Sequence, residues 1–323
     1  MRAAWYEKNG SAAEVLRVGE VETPKPGPGE VRIRLRTSGV NPSDVKTRAG
    51  TARKIAFPRV IPQSDGAGEI DMVGEGVAAS RIGERVWIWN GAWKRPFGTA
   101  AEYIVLPAAQ AVPLPGPISF EAAACLGIPA LTAWHAIDIA GTRDGTTLLI
   151  AGGAGAVAHY AIQFAKARGA SVIATVSSAE KAKVAREAGA DHTIDYKTEN
   201  VGERVATLTK GGADAVIEVD LTANANVLPS VLRPRGTLVV YGTGAQAQVP
   251  ASFCLQNNIT VKFLLVYELT EDERNRAISD ITRKLEANTL KHNVAKTYPL
   301  AEIVAAHEYV EQGGAIGNVV IQI

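Results

Sequence analysis

Apolar and polar positions change rhythm partway along the chain. In the N-terminal part they form short β-rich pieces at 31–36, 69–73, 85–88 and 101–105, separated by glycine and proline signals at 24–29, 74–76 and 113–117. This pattern predicts a strand-rich domain with little regular helix. After Pro117 the segment 119–124 reads as a helix start, with Ser119 as its cap and an alanine face beyond it. Strands and helices then alternate. An apolar strand at 147–150, a glycine turn, a helical period over 157–168 and a second strand at 172–176 make one βαβ unit. A helix at 180–188 and strands at 192–194, 215–219 and 236–241 continue it, and their apolar runs suit a parallel sheet covered by helices on both faces. Near Val261 the rhythm weakens; 271–286 reads as a charged amphipathic helix and 319–323 as a strand able to return to the first domain.

With 323 residues, 46% of them hydrophobic, the chain is long enough for two cored domains. Lys and Arg number 34 against 33 Asp and Glu, so composition supplies no phosphate-binding stripe for nucleic acid. The opening MRAAWYEKNG interrupts every apolar stretch, giving no signal peptide, and no later run reaches the roughly 20 apolar residues of a bilayer span. The two cysteines, Cys125 and Cys254, offer neither metal spacing nor a disulfide framework, which fits buried thiols in a reducing cytoplasm.

Chemistry concentrates at Gly153-Ala154-Gly155-Ala156-Val157-Ala158, a G-x-G-x-x-A loop between a predicted strand and helix. Gly153 is expected to permit the tight turn, Gly155 the backbone's approach to a pyrophosphate, and Ala158 close helix packing, with the helix N-terminus as the anion site. The next strand ends in Thr175-Val176-Ser177-Ser178, where an NAD site normally carries an acid for the ribose hydroxyls. Ser177 can donate to a 2′-phosphate and Lys181 can match its charge, which points to NADPH. The same residues also suit a helix cap and a solvated lysine.

The chain resembles the zeta-crystallin-like quinone oxidoreductases of the medium-chain dehydrogenase/reductase superfamily over nearly its whole length. The resemblance is carried by Ser38-Gly39-Val40-Asn41-Pro42-Ser43-Asp44, Ser64-Asp65-Gly66-Ala67-Gly68, Gly83-Glu84-Arg85-Val86, the stretch from Leu126 to Trp134, and the dinucleotide loop. It implies an α/β protein: a GroES-like β-rich catalytic domain at 1–124 and 263–323, an inserted Rossmann domain at 125–262, and an active cleft between them. It implies that Tyr196 joins Ser177 and Lys181 around the adenosine phosphate, and that Gly242, Thr243 and Asn318 also belong to the cofactor site. Asn41 and Asp44 are placed near substrate and nicotinamide, and Thr132 beside the cofactor's reacting end. Turn capping is the competing explanation for Asn41 and Asp44.

Zinc-dependent relatives place ligands at the positions of Asn41, Ser64 and Ile128, which form no ordinary zinc set. Lys46 and Ala52 stand where the quinone reductases commonly carry tyrosines. Trp87, Trp93, Phe263 and Tyr267 are candidates for an apolar substrate wall, or simply for packing. None of the five histidines forms a nucleophile or metal motif. The resemblance thus implies a homodimeric, zinc-independent enzyme passing a hydride from NADPH to a quinone or conjugated carbonyl, in the cytoplasm that the cysteine usage suggests. The alternatives are reduction of an alkenal, enone or enoyl-thioester double bond, and a nonenzymatic NADPH-binding or RNA-binding role.

Overall fold

The computed structural model describes residues 1–323, which fall into two units: Met1–Ile128 with Asp280–Ile323, and Pro129–Ser279. The first unit opens with strands β1 (Arg2–Trp5), β2 (Arg17–Glu20), β3 (Glu30–Val40), β4 (Asp65–Val73), β5 (Arg85–Ile88), β6 (Tyr103–Pro107) and β7 (Ala111–Pro113). Along β3 the period-2 pattern is plain: Val31, Ile33 and Leu35 face a core with Ile70, Val86 and Ile104, while Arg34 and Arg36 face solvent. From Thr37 to Val40 every residue is buried, because the 120–124 backbone covers the strand's other face. Thr37 Oγ1 donates to the Phe120 carbonyl at 2.7 Å. A Cβ on Gly39 would sit 2.3 Å from the Ala124 oxygen, so only glycine fits there.

The antiparallel register pairs Gly39 with Asp65, and the strand then passes at Asn41 into the helix Pro42–Ala49. The expectation of little regular helix is corrected here. Asn41 is the N-cap, Pro42 opens the first turn, and Gly50 closes the helix in the left-handed region at φ 79°.

The second unit holds β8 (Thr147–Ile150), β9 (Ser171–Val176), β10 (His192–Asp195), β11 (Ala213–Glu218), β12 (Leu232–Val240) and β13 (Thr260–Phe263). They form one parallel sheet in the order β10-β9-β8-β11-β12-β13. Its strands carry near-continuous buried runs such as Leu148–Leu149–Ile150, as a sheet covered on both faces requires. Helices Ala156–Ala167 and Ala179–Glu187 follow β8 and β9. The strand order reverses between β8 and β11, and the carboxyl ends at such a reversal are where open α/β sheets bind ligands.

The chain completes the first unit with β14 (Val294–Pro299), the helix Ile303–Glu311 and β15 (Asn318–Gln322), which pairs antiparallel with β3. Glu311 of that helix bonds the fully buried Arg48. One expectation about membranes is corrected: the 20-residue segment Phe120–Ile139 is long and apolar enough to cross a bilayer, but 89% of its most apolar window is buried inside the protein. It therefore reads as core.

Candidate functional site

At the start of the Pro42–Ala49 helix, Asn41 is held from two sides. Its backbone N–H donates to Asp44 Oδ2 at 2.8 Å, and its side-chain amide donates to Asp65 Oδ2 at 2.7 Å. Asn41 and Asp44 thus form a capping box while the Asn41 amide N–H is directed to Asp65, so capping and an oriented amide coexist. Asn41, Asp44 and Asp65 are 5%, 7% and 0% exposed. Burial raises the Asp44 carboxyl to about 7, against the pull of the Asn41 backbone hydrogen bond. Burial, reinforced by the nearby Asp44, also raises Asp65 well above the usual carboxylate range. Asp65 was not among the site residues expected from sequence. Its only signal was its place beside Ser64 in the Ser-Asp-Gly landmark; pairing of β3 with β4 brings it to Asn41.

The loop after β8 is fastened to β9: the Gly152 N–H donates to Thr175 Oγ1 at 3.1 Å and the Gly153 N–H to the Thr175 carbonyl at 2.8 Å. Gly152, at φ 67°, supplies the left-handed turn that was expected of Gly153. Gly153 is required instead by packing, since a Cβ there would lie 2.7 Å from the Ala174 Cβ and 3.1 Å from that of Ala185. Gly155 is the N-cap, so the N–H groups of Ala156, Val157 and Ala158 point from the helix end without intrahelical partners. Such an end takes an anion.

At the end of β9, Ser178 caps the next helix, accepting from the Lys181 backbone at 3.2 Å. Ser177 is thereby released from capping, and its Oγ accepts from Lys181 Nζ at 3.0 Å. The Tyr196 N–H donates to the Val176 carbonyl at 3.1 Å, and its side chain is 52% exposed. Ser177, Lys181 and Tyr196 therefore gather at neighbouring strand ends. Gly242 and Thr243 follow β12: Gly242 abuts the Val219 carbonyl too closely for any Cβ, and Thr243 Oγ1 lies 3.3 Å from Thr222 Oγ1.

Known proteins give this geometry a family. Residues 27–116 match the Alcohol dehydrogenase GroES-like domain, and residues 156–283 match the family described as Zinc-binding dehydrogenase. A quinone oxidoreductase of Pseudomonas aeruginosa is 33% identical over 315 residues, 95% of each chain. The chain belongs to the quinone oxidoreductase family of medium-chain dehydrogenases/reductases. A 2-haloacrylate reductase of a Burkholderia species is 30% identical over 333 residues, covering 99% of this chain and 98% of the relative. Among solved structures, one described as an NAD-dependent alcohol dehydrogenase aligns with a TM-score of 0.91 at 30% identity, covering 100% of both chains. A mycobacterial protein complexed with NADPH aligns at 0.88 and 29%, again with 100% of both chains covered.

Zinc does not fit this member of the family. The Asn41 amide is bonded to Asp65, Ile128 has no donor, and nowhere do three or more His, Cys, Asp or Glu gather as a metal site. The remaining expected residues belong to one or the other unit. Thr132 is 5% exposed in the second unit's helix Leu131–Ile139. Asn318 belongs to the first unit, where its amide donates to the Asn293 carbonyl at 3.0 Å. Trp87 is fully buried and cannot line a substrate wall; Tyr267 is 7% exposed, and Phe263 projects from the edge strand β13 at 66%. Cys125 is buried as expected, but Cys254 is only half-buried.

Proposed function

We propose that this protein reduces quinones and related conjugated carbonyl compounds with NADPH. The observation that carries the reading is the Asn41 amide, fixed by Asp65 in a buried setting where the zinc-type relatives would carry a metal ligand. A preorganised amide donor can orient a carbonyl and stabilise the negative charge that grows on its oxygen during reduction. Asp44 keeps the Asn41 backbone in place through the helix cap.

When bound, NADPH supplies a hydride from C4 of its nicotinamide. The loop Gly153, Gly155, Ala156, Val157 and Ala158 holds the pyrophosphate, and Ser177, Lys181 and Tyr196 hold the 2′-phosphate. Support for NADPH over NADH comes from the missing acid at the end of β9 and the Ser177–Lys181 pair that replaces it. Gly242, Thr243 and Asn318 as further cofactor residues, and Thr132 at the reacting end, complete the proposal, with the catalytic role assigned to Asn41, Asp44 and Thr132. A cytoplasmic location accords with two free thiols, and a homodimer with the uncovered edge strand β13 bearing the exposed Phe263.

Likeness to the 2-haloacrylate reductase favours a second reading, saturation of a carbon–carbon double bond beside a carbonyl. Product analysis with NADPH across quinones and α,β-unsaturated carbonyls tests both. Hydroquinone formation supports the lead reading, and a saturated product with its carbonyl retained supports the second. Tight NADPH binding without turnover of any acceptor would move the protein to a noncatalytic role.

A further inference from the structure

One buried residue of the first unit is held in a backbone conformation that its side chain disfavours. Gln63, two residues before Asp65, is 1% exposed and has φ 76°, in the left-handed region where a Cβ crowds the backbone and glycine is at home. The other non-glycine residues in that region have simpler explanations. Asn90, Asn258 and Asn288 are of a residue type that tolerates it, and Lys94 and Arg235 are exposed. Gln63 is neither, so its side chain must supply something that glycine could not.

The two ends of its amide meet two different elements. Gln63 Oε1 accepts from Ser38 Oγ on β3, and Gln63 Nε2 lies 3.4 Å from His307 Nε2 on the helix Ile303–Glu311. Ser38 Oγ is in turn 2.6 Å from Thr99 Oγ1, which donates to the Asp65 carbonyl at 2.5 Å. Thr99 is tied back by its own backbone N–H, which donates to the Gln63 carbonyl at 3.0 Å. Ser38, Thr99 and His307 are all fully buried. Gln63, Ser38 and Thr99 thus close a ring of contacts around the backbone of Asp65, whose carboxyl receives the Asn41 amide at 2.7 Å. The helix Ile303–Glu311 also ties the other partner of that bond: its Glu311 bonds Arg48, in the helix that Asn41 caps. The two segments that must lie opposite each other for the amide to be aimed are therefore both set against one helix, one through Arg48 and the other through Gln63.

We propose that Gln63 is a positioning residue for the reduction: through Ser38 and Thr99 it fixes Asp65, and through Asp65 it sets the direction of the Asn41 amide. This rests on the reductase reading above. A donor aimed at a developing oxyanion works only if it is held in place beforehand, and a displacement of about 1 Å at such a site can cost about a hundredfold in rate. The direction of the Asp65 carboxyl follows the backbone that carries it, and residues 63 and 64 are where that backbone enters β4. Strain of this kind persists only where the surroundings over-determine it. Here the surroundings are the Ser38 hydroxyl, the Thr99 N–H and the His307 ring. Glycine at this position would release the strain and the hold on Ser38 together.

The test is a double-mutant cycle between Gln63→Gly and Asn41→Ala, read in quinone reduction at saturating NADPH. Glycine adopts φ 76° without strain, so the variant removes the side chain and leaves the turn. Gln63→Gly is expected to lower kcat and kcat/KM together by about tenfold, while the NADPH dissociation constant moves less than about twofold. In the Asn41→Ala background the same substitution should change kcat/KM by less than about twofold, because the amide it aims is gone. A further fall of about tenfold in that background, as two independent defects would give, overturns the proposal. So does a rise in KM with kcat unchanged. If Gln63→Gly does not fold, Thr99→Val takes its place in the cycle: it keeps the branched shape and loses the hydroxyl that holds the Asp65 carbonyl. Thr99→Ser should then restore the rate, and equal losses in the two Thr99 variants refute the argument. If the unmodified enzyme reduces no acceptor, the reductase reading fails, and NMR of protein carrying isotope-labelled asparagine still decides this one. The Asn41 side-chain amide is the signal that disappears in Asn41→Ala; Gln63→Gly, or Thr99→Val in its place, should move it toward the position of a solvated amide, and an unmoved signal refutes the positioning role.

Discussion

Replacing Lys181 by alanine should narrow the preference for NADPH over NADH by about ten- to thirtyfold at low salt. The structure sets the scale. Lys181 is half-buried, and its Nζ is 3.0 Å from Ser177 Oγ, so its charge is held at the end of β9 rather than sweeping through solvent. At an ordinary ion-pair separation of ~4 Å, two unit charges attract by about 1 kcal/mol in water and about 4 kcal/mol at the effective dielectric near a protein surface. A half-buried lysine falls between these limits, at about 1.5–2 kcal/mol, and each ~1.4 kcal/mol is a factor of ten. NADH lacks the 2′-phosphate and so keeps most of its affinity. Calorimetric dissociation constants for both cofactors, at fixed and then raised salt, measure the ratio directly. Screening should shrink the effect, since the Debye length is about 3 Å at 1 M salt. Equal losses for both cofactors in a folded variant would show that Lys181 does not read the phosphate. An unchanged ratio would pass that role to Ser177, Tyr196 or the backbone N–H groups.

Two further outcomes are expected. Asn41→Ala and Asp44→Ala should each lower kcat/KM for the acceptor by about ten- to a hundredfold while NADPH dissociation constants move less than about threefold; matched losses of folding and cofactor affinity, with no separate catalytic defect, would leave only the helix cap. His307, fully buried and with Gln63 Nε2 3.4 Å from its ring nitrogen, is held at about 3 by burial, so its neutral form is the folded one. Its contribution to stability is complete above about pH 6.5 and is lost as pH falls toward 3, by about 1.4 kcal/mol per unit, or about 2 kcal/mol between pH 7 and 5. His307→Gln should remove that slope in urea unfolding, and identical slopes in the two proteins would refute the assignment.

Where burial follows a simple period, the sequence was legible. Strand 147–150 and the helix 271–286 lie where the pattern put them, and the helices after β8 and β9 each begin one residue early. The Pro42–Ala49 helix was hidden for a physical reason. Besides Val45, its inward positions are Asp44 and Arg48, polar residues satisfied by the Asn41 backbone and by Glu311, so no apolar period marks it. The start of β12 was hidden likewise: after the buried Leu232 its stretch Arg233-Pro234-Arg235 is exposed, and the run turns inward again only from Gly236. The helix Ile303–Glu311 buries His307 where an apolar residue would have signalled a core face.

The same reasoning explains why the glycine turn between strand 147–150 and the helix Ala156–Ala167 could be read and Asp65 could not. A loop that binds an anion through backbone N–H groups needs glycine and alanine at fixed offsets, and those offsets are visible in one dimension. An orienting carboxyl needs only to be opposite its partner, and that opposition arises from the register of β3 on β4, twenty-four residues away along the chain. Its chemistry follows from the residues that surround it. Burial, reinforced by the neighbouring Asp44, raises the Asp65 carboxyl well above the usual carboxylate range, against the pull of the Asn41 amide. Its oxygen accepts from the Asn41 amide in either protonation state, and the upward shift acts to lessen the negative charge beside that amide. A buried acid without a metal set around it is therefore chemically coherent, because Asp65 has the Asn41 amide as its partner.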